Sequence, residues 1–164
     1  MAETTQAYVQ RIIGTLGSVD PLEVLAQTPG KLDKALEHFS PEEWRKRPAP
    51  EKWSPAEIVI HLSEVEMMVG VRVRLVLGQN GIAIQGFDQD AWATRYGKAD
   101  LDVALVAFRA LRAANLALYR SLTEEQWEHY GMHSERGKET ARKIVQLCAG
   151  HDLNHLAQIE AMPR

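Results

Sequence analysis

The chain has 164 residues, of which 45% are apolar and 25% are charged, and its formal net charge is −3. This length predicts a single domain, residues 1–164, with enough chain to bury a core. The mildly acidic, mixed charge gives no electrostatic footprint for nucleic acid or an anionic membrane, so neither partner is expected.

Cysteine content and the lack of long apolar segments indicate the compartment. Cys148 is the single cysteine of the sequence, so no intramolecular disulfide can form and a reducing compartment is expected. The first residues, Met1 to Gln6, lack the basic and apolar regions of a secretory signal peptide. No apolar run approaches the roughly 18–20 residues that span a bilayer. We therefore expect a cytoplasmic protein.

Apolar spacing and capping signals define helices in the first part of the chain. A short amphipathic helix is predicted over about residues 3–16. The first main helix is predicted over about residues 20–38, and it starts at the capping signal Asp20-Pro21. Thr28-Pro29 interrupts the apolar stripe of this helix, so a kinked or split helix is expected.

Three further main helices are predicted over about residues 54–78, 100–122 and 138–161. No segment alternates between apolar and polar residues as a half-buried strand does, so the predicted fold class is all-α, a four-helix bundle. The connection over residues 79–99 is longer than antiparallel neighbours need. We expect it to cross the bundle, so that helices two and three run parallel.

Three histidines fall on the inward faces of two predicted helices. His151 and His155 lie four residues apart on the last helix, where both imidazoles can reach one ion. His61 lies on the inward face of the second main helix. One divalent ion would satisfy all three buried imidazoles at once. A metal-free bundle with hydrogen-bonded core histidines is the alternative.

The histidine segments carry a resemblance to a known family. The stretch from Trp53 to Glu66, with His61 at its centre, resembles the central motif of the DinB/YfiT-like superfamily. The stretch from His151 to Ile159 resembles the C-terminal motif of that family. The segment His133 to Gly137 resembles the loop that precedes the last helix, although Ser134 stands where proline is usual.

This resemblance implies a fold, a site and a range of activities. The implied fold is a four-helix bundle of up-down-down-up topology, and the implied ligands of a divalent metal, zinc or nickel, are His61, His151 and His155. Three protein ligands with an open position are typical of catalytic sites. The resemblance favours a metal-dependent S-transferase that uses a low-molecular-weight thiol such as bacillithiol or mycothiol. A metal-dependent hydrolase and a non-catalytic metal-binding or stress-linked interaction protein are the alternatives, and we expect a homodimer with a small-molecule substrate.

Other polar and aromatic residues are weaker candidates for roles in the site. Glu57 lies one turn before His61 and could orient it, although helix capping explains it equally well. Glu64 could act as a base, or lie on a solvated face. The candidates for substrate binding are Asn115, Arg72 and Trp92. The alternative for Asn115 is a core amide whose hydrogen bonds are satisfied within the bundle. The alternative for Arg72 is a charge at the end of the bundle, and for Trp92 it is a packing anchor.

Two further groups of potential ligands are expected to be structural. Cys148 lies one turn before His151, and a buried core thiol is favoured over a fourth ligand. His129 and His133 are also four apart, but Gly131 lies between them, so we expect both in a loop rather than on a helix.

Overall fold

The computed structural model describes residues 3–163, so Met1, Ala2 and Arg164 of the predicted domain lie outside the described residues. The four main helices are α2 (Pro21–Leu36), α3 (Pro55–Gly78), α5 (Leu101–Arg120) and α7 (Ala141–Glu160). Shorter elements are the helices α1 (Thr5–Gly14), α4 (Gln89–Ala93) and α6 (Glu124–Trp127), and the strands β1 (Ile82–Ile84), β2 (Tyr130–His133) and β3 (Gly137–Thr140). The predicted all-α, four-helix-bundle class is confirmed.

Each of the four main helices begins after a residue whose side chain caps it. The Ser54 side chain accepts a hydrogen bond from the Glu57 amide, and the Glu57 carboxylate accepts one from the Ser54 amide, which is a complete capping box. Asp20 caps α2 and Asp100 caps α5 through side-chain oxygens that accept hydrogen bonds from backbone amides. Thr140 caps α7, which starts three residues later than predicted because residues 137–140 pair as a strand.

Helix α2 continues through Pro29, so the predicted split does not occur. Proline has no amide hydrogen, and its position leaves the carbonyl of Leu25 without the usual partner four residues later. The Arg112 guanidinium supplies a replacement, since its Nη1 donates to the Leu25 oxygen at 2.8 Å. A tertiary contact from α5 therefore replaces the backbone hydrogen bond that Pro29 removes. The sequence pattern alone predicts a helix break there, because it does not show this contact.

The directions of the four helices follow from which residues meet. Arg112 of α5 contacts Leu25 of α2, and the later α2 residue Asp33 contacts the earlier α5 residue Arg109, so α2 and α5 are antiparallel. Between α3 and α5 the contacts advance in the same direction, from Glu66 with Arg112 to Arg74 with Asn115. Helices α3 and α7 are antiparallel, because His61 meets His151 and Glu66 meets Cys148. The bundle is thus up-down-down-up, and the segment between α3 and α5 crosses it as expected.

A small sheet contradicts the expectation that the chain has no strands. In residues 3–163, β1 pairs in parallel with β2, and β2 pairs antiparallel with β3. The strands are three or four residues long, too short to show an alternating pattern. His133 accordingly lies buried in β2 rather than in a loop, whereas His129 lies in the loop before that strand. Gly131 is needed there, because a Cβ would lie 2.9 Å from the backbone carbonyl oxygen of Ile82 in the neighbouring strand.

A buried polar layer divides the apolar core of the bundle in two. One apolar cluster is centred on Leu25, Val73 and Ile144, and the other on Leu32, Ile58 and Ile159. The layer between them consists of Glu66, Arg112, Asn115 and Asp152, one or two residues from each of α3, α5 and α7. Among the described residues, no helix is both long and apolar enough to cross a membrane.

Candidate metal centre

The structure brings the three predicted ligands together. The Nε2 atoms of His61 and His151 are 3.0 Å apart, and those of His155 and His151 are 3.1 Å apart. One ring nitrogen from each histidine lies within 4.8 Å of the other two. Two antiparallel helices supply the set, because α3 contributes His61 opposite the two α7 histidines that share one face.

These residues fit a divalent metal by their geometry and chemistry. Zinc–nitrogen bonds of about 2.0–2.1 Å place the nitrogens of a tetrahedral site about 3.3 Å apart, close to the two separations observed. The Nδ1 atom of His155 is engaged by the Gln158 Oε1 atom at 2.8 Å, so Nδ1 carries the hydrogen and the Nε2 lone pair faces the cluster. A ring fixed in this tautomer is prepared to bind a cation.

His61 is oriented by a polar chain that starts in the long connection between α3 and α5. The Tyr96 hydroxyl lies 3.4 Å from the Nδ1 atom of His61 and donates to the Glu64 Oε2 atom at 2.6 Å. Trp53 packs against the same cluster, with its ring stacked on His155 at a centroid distance of 6.2 Å and tilted against His61 at 4.7 Å. The two aromatic side chains limit how far the imidazoles can rotate.

Burial keeps the three imidazoles neutral at physiological pH. Desolvation, with a smaller contribution from His155, lowers the pKa of His61 to about 3. Desolvation also lowers the pKa of His155 to about 4, against the opposing effect of the hydrogen bond that His155 donates to Gln158. The pKa of His151 falls well below its ordinary value for the same reason. Neutral histidine is the form that binds metals, so no proton has to leave before a cation enters.

A cavity of about 380 Å³ reaches the histidine cluster at His151. Its walls come from α3, α7, the N-terminal helix α1 and the sheet region. Apolar side chains and one buried arginine line the path that leads away from His151; they are Val65, Val69, Arg72, Phe87, Ile144 and Cys148. The volume lies within the range of about 300–1,000 Å³ that is typical of small-molecule sites. A molecule in this cavity would therefore contact one of the three histidines directly.

The two candidate catalytic carboxylates differ in their surroundings. Glu57 is buried, and both of its oxygens accept from the Arg47 guanidinium while it closes the capping box with Ser54. Desolvation acts to raise the pKa of Glu57, but the hydrogen bonds from Arg47 and Ser54 together outweigh it, so the pKa is lowered. Glu64 is half-buried and is linked to His61 through the Tyr96 hydroxyl. The geometry gives Glu57 a structural role and links Glu64 to the cluster indirectly, through Tyr96.

Asn115 and Cys148 lie next to the buried polar layer. Asn115 donates to the backbone and side chain of Glu66 and accepts from Arg74, so its amide is fully engaged within the core. The Cys148 sulfur is 3.7 Å from the Glu66 Oε2 atom. Burial, reinforced by Glu66 and Asp152, raises the pKa of Cys148 well above its ordinary value. A thiol that stays protonated is a poor metal ligand.

Arg72 and Trp92 lie towards the other end of the cavity. Arg72 lines the cavity and is buried, with its guanidinium over the Phe87 ring at 5.6 Å. Trp92, in α4, packs against Phe87 at a centroid distance of 4.8 Å and is not among the residues that line the cavity. Phe87 thus separates Trp92 from the space that a ligand would enter.

Sequence reasoning missed two residues that contact the histidine cluster and one buried residue that neighbours it in the chain. Tyr96 lies in a short 3-10 helix of the long connection, where no periodic pattern marks it. Gln158 follows His155 by three residues on α7, and this spacing was a usable signal for a hydrogen-bond partner. Asp152 neighbours His151 and is fully buried against Arg112, although isolated charges on a helix usually face solvent.

The fold and the site together define the class of protein, which is a helical bundle with a buried cluster of three histidines beside a cavity. The family model of the DinB superfamily matches residues 25–159. The chain belongs to the DinB superfamily, which confirms the resemblance seen in the sequence.

Comparisons with individual proteins agree with this assignment. The chain is 27% identical over 147 residues to a Bacillus subtilis protein named "Putative metal-dependent hydrolase YfiT", covering 87% of this chain and 82% of the relative. It is 28% identical over 140 residues to a Bacillus licheniformis protein of the same description, covering 84% and 80% of the two chains. The histidine cluster and these metal-dependent relatives together support a divalent metal as the cofactor.

Solved structures match the bundle as well. The B. subtilis YfiT structure, described as having an unusual four-helix bundle topology, superposes with a TM-score of 0.79 at 26% identity, over 85% of this chain and 81% of that one. A mycothiol-dependent maleylpyruvate isomerase superposes with a TM-score of 0.69 at 9% identity, over 85% of this chain and 59% of that one. The second match shows a shared fold.

Proposed function

We propose that this chain is a metal-dependent enzyme that uses His61, His151 and His155 to hold one zinc or nickel ion and transfers a low-molecular-weight thiol to an electrophile. The observation that carries the proposal is the convergence of three Nε2 atoms where the cavity reaches His151. Because the cluster found within residues 3–163 supplies three ligands rather than four, a position remains for a substrate atom.

The surroundings of the histidines favour a thiol over water as the nucleophile. A divalent ion in this site would supply Lewis-acid chemistry, lowering the pKa of a thiol or water that it binds. Hydrolysis also calls for a positioned general base beside the attacking water. Among residues 3–163 the ligand cluster holds histidines alone, Glu57 is paired with Arg47, and Glu64 is held by Tyr96. Thiol transfer depends less on such a base, because an ordinary thiol, with a pKa of about 8.5, releases its proton to solvent far more readily than water, with a pKa of about 15.7.

The nucleophile in this proposal is a soluble thiol and not Cys148. The Cys148 sulfur is fully buried, the pKa of its thiol is raised, and it contacts the Glu66 carboxylate. Tyr96 and Gln158 hold the imidazoles of His61 and His155 in place while reactants exchange. The residues of the chain thus bind and orient, and the cavity supplies the space for the two reactants.

Hydrolysis is the second candidate, and the names of the relatives favour it. The YfiT protein of B. subtilis and its B. licheniformis counterpart are both named for metal-dependent hydrolysis. In that case Glu64 is the carboxylate best placed to serve as base, because its contact with Tyr96 brings it to the edge of the histidine cluster. Replacing Glu64 by Gln would then abolish turnover, whereas thiol transfer would tolerate the change.

A direct comparison of two reactions tests the proposal. Zinc-loaded and metal-free protein are each assayed for conjugation of cysteine or 2-mercaptoethanol to 1-chloro-2,4-dinitrobenzene, and for hydrolysis of 4-nitrophenyl acetate. We expect metal-dependent conjugation that the His151→Ala variant loses. Metal-dependent hydrolysis without conjugation would favour the second candidate. If neither reaction depends on the metal, the chain is a metal-binding or interaction protein, and the proposal is wrong.

The homodimer stays a prediction that light scattering in solution tests.

A further inference from the structure

Arg72 is a buried cation that has no counter-ion within the described part of the chain. Its side chain is only 7% exposed, and one of its nitrogens, Nη2, donates to the Gln85 carbonyl at 3.0 Å. Among residues 3–163, the Nε atom is buried without a hydrogen-bond partner, and no carboxylate forms an ion pair with the guanidinium. A buried charge without a partner is costly. Native structures therefore retain such a charge where a bound molecule or ion can pair with it.

Other buried or half-buried arginines of the fold are compensated. Arg112 pairs with the carboxylates of Glu66 and Asp152 at 2.7 and 2.8 Å. Arg136, which lines the same cavity as Arg72, makes two hydrogen bonds to the buried Glu139 carboxylate. The Nε atom of Arg112 also lacks a partner, but its two other nitrogens are paired with carboxylates. Arg72 differs from these two arginines because no acidic group of residues 3–163 forms an ion pair with its guanidinium.

The unpaired guanidinium lies in the cavity that leads to the histidine cluster. On α3, the lining residues Val65, Val69 and Arg72 share one face, and on α7 Ile144, Cys148 and His151 share another. Each set spans seven residues, which is about 10 Å along a helix. Because α3 and α7 are antiparallel, His151 lies at the Val65 end and Ile144 lies at the Arg72 end. The cavity thus joins a cation site to a fixed positive charge.

The acidic residues of the cavity do not neutralise Arg72. Glu139 is committed to Arg136, and Glu3 is paired with Arg11. Glu135 lines the cavity but is exposed to solvent, where its charge is well hydrated. Phe87 lies beside the Arg72 guanidinium, with its ring centroid 5.6 Å from the central carbon, and the Gln85 carbonyl engages only one nitrogen, Nη2, of the donor edge. A carboxylate matches that edge by charge and by shape.

We propose that Arg72 binds the carboxylate of an elongated small molecule whose reacting end lies at the histidine cluster. The substrate class is a carboxylic acid with a thiol, or another metal-binding group, separated from the carboxylate by an apolar chain that contacts Val65, Val69 and Ile144. This assignment rests on the proposed function for the reacting end of the molecule. The carboxylate site itself rests only on Arg72 and the cavity.

The first experiment tests the carboxylate site without any metal. The Nε–H resonance of Arg72, assigned by its loss in the Arg72→Lys variant, is followed by NMR while hexanoate or 1-hexanol is added. We expect a saturating shift with hexanoate, none with 1-hexanol, and no shift at the exposed Arg120. If the Arg72 resonance does not respond to hexanoate, or responds equally to the alcohol, the inference is wrong.

The second experiment joins the two ends of the cavity. Binding of 6-mercaptohexanoate and of 6-mercapto-1-hexanol to zinc-loaded protein is measured by calorimetry. We expect the carboxylate to improve the dissociation constant about tenfold or more, since a hydrogen bond to a charged group replaces an unsatisfied one. Arg72→Gln should abolish this preference, and the matched surface variant Arg120→Gln should retain it. If wild type and Arg72→Gln prefer 6-mercaptohexanoate over 6-mercapto-1-hexanol to the same extent, the assignment of Arg72 as the carboxylate site is wrong.

The two proposals fail in different ways. If neither mercaptan binds zinc-loaded protein while hexanoate still shifts Arg72, the thiol chemistry is wrong and the carboxylate site stands. If both mercaptans bind equally and hexanoate leaves Arg72 unchanged, the metal chemistry stands and the carboxylate site is wrong.

Discussion

Replacing Arg112 by Met tests whether the buried polar layer holds the bundle together. The guanidinium is fully buried and makes three contacts, with the carboxylates of Glu66 and Asp152 and with the Leu25 carbonyl freed by Pro29. Methionine fills most of the same volume and removes every donor. Two carboxylates and one carbonyl would then be buried without their partner.

The expected loss follows from these contacts. Breaking a buried ion pair by removing one partner costs about 3–5 kcal/mol, because it leaves an uncompensated charge in the core. Desolvation already raises the pKa of Asp152, and Arg112 opposes that shift. Without Arg112 the pKa of Asp152 rises further, and the folded variant binds a proton that the unfolded chain releases. The free-energy deficit against wild type is therefore larger at pH 8 than at pH 5.5.

Urea unfolding of metal-free protein, followed by circular dichroism, measures this loss. Arg109→Met is the matched control, because Arg109 lies one turn earlier on α5 and pairs with Asp33 at the surface. An exposed pair contributes about 0–1 kcal/mol, so this variant should stay close to wild type. If Arg112→Met costs no more than Arg109→Met, or if its deficit does not change with pH, the role given to the polar layer is wrong.

Three further predictions address the site and its wall. Tyr96→Phe should weaken metal binding about tenfold in competition with a chromophoric chelator, since His61 loses its orienting contact; unchanged affinity would refute this role. Metal-free protein should lose about 2 kcal/mol of unfolding free energy per buried histidine between pH 7.5 and 5, because the unfolded chain takes up protons that the folded imidazoles refuse. Over the same pH range, the unfolding free energy of the His61→Gln variant should therefore fall by about 2 kcal/mol less than that of the wild type. An equal fall in both proteins, measured by urea titration, would contradict the burial of His61 as a neutral imidazole. Gly150→Ala should displace α1 and cost about 1–3 kcal/mol, since its Cβ would lie 2.1 Å from the Ile12 carbonyl oxygen. The control Gly30→Ala has open space and should stabilise by up to about 1 kcal/mol; similar effects of both changes on urea unfolding would contradict the packing of α1 on α7.

The main helices can be predicted from sequence because their signals are local. The capping and spacing signals predict a helix over residues 54–78, which the structure bounds as Pro55–Gly78, and one over 100–122, bounded as Leu101–Arg120. A capping side chain and the amide it accepts from lie within three residues of each other, so the sequence holds both partners. Where the stabilising partner is distant, as at Pro29, the pattern misleads.

The histidine cluster is only partly accessible from sequence. The four-residue spacing of His151 and His155 places them on one face of any helix, but their meeting with His61 depends on how α3 packs against α7. The polar layer is harder to foresee. Asn115 is recognisable as an interruption of an apolar face, whereas Glu66 and Arg112 are charged residues whose burial requires each other. The periodicity of a sequence assigns a residue to one face of a helix, but it does not identify the residue on another helix that it contacts.

Elemental analysis of untagged protein tests the central claim most directly. We expect one zinc or nickel ion per chain in the wild type, lost in His61→Ala, in His151→Ala and in His155→Ala, and retained in His38→Ala, which changes an exposed histidine outside the cluster. Retention of stoichiometric metal by the variant that lacks all three cluster histidines would contradict the assignment of the site.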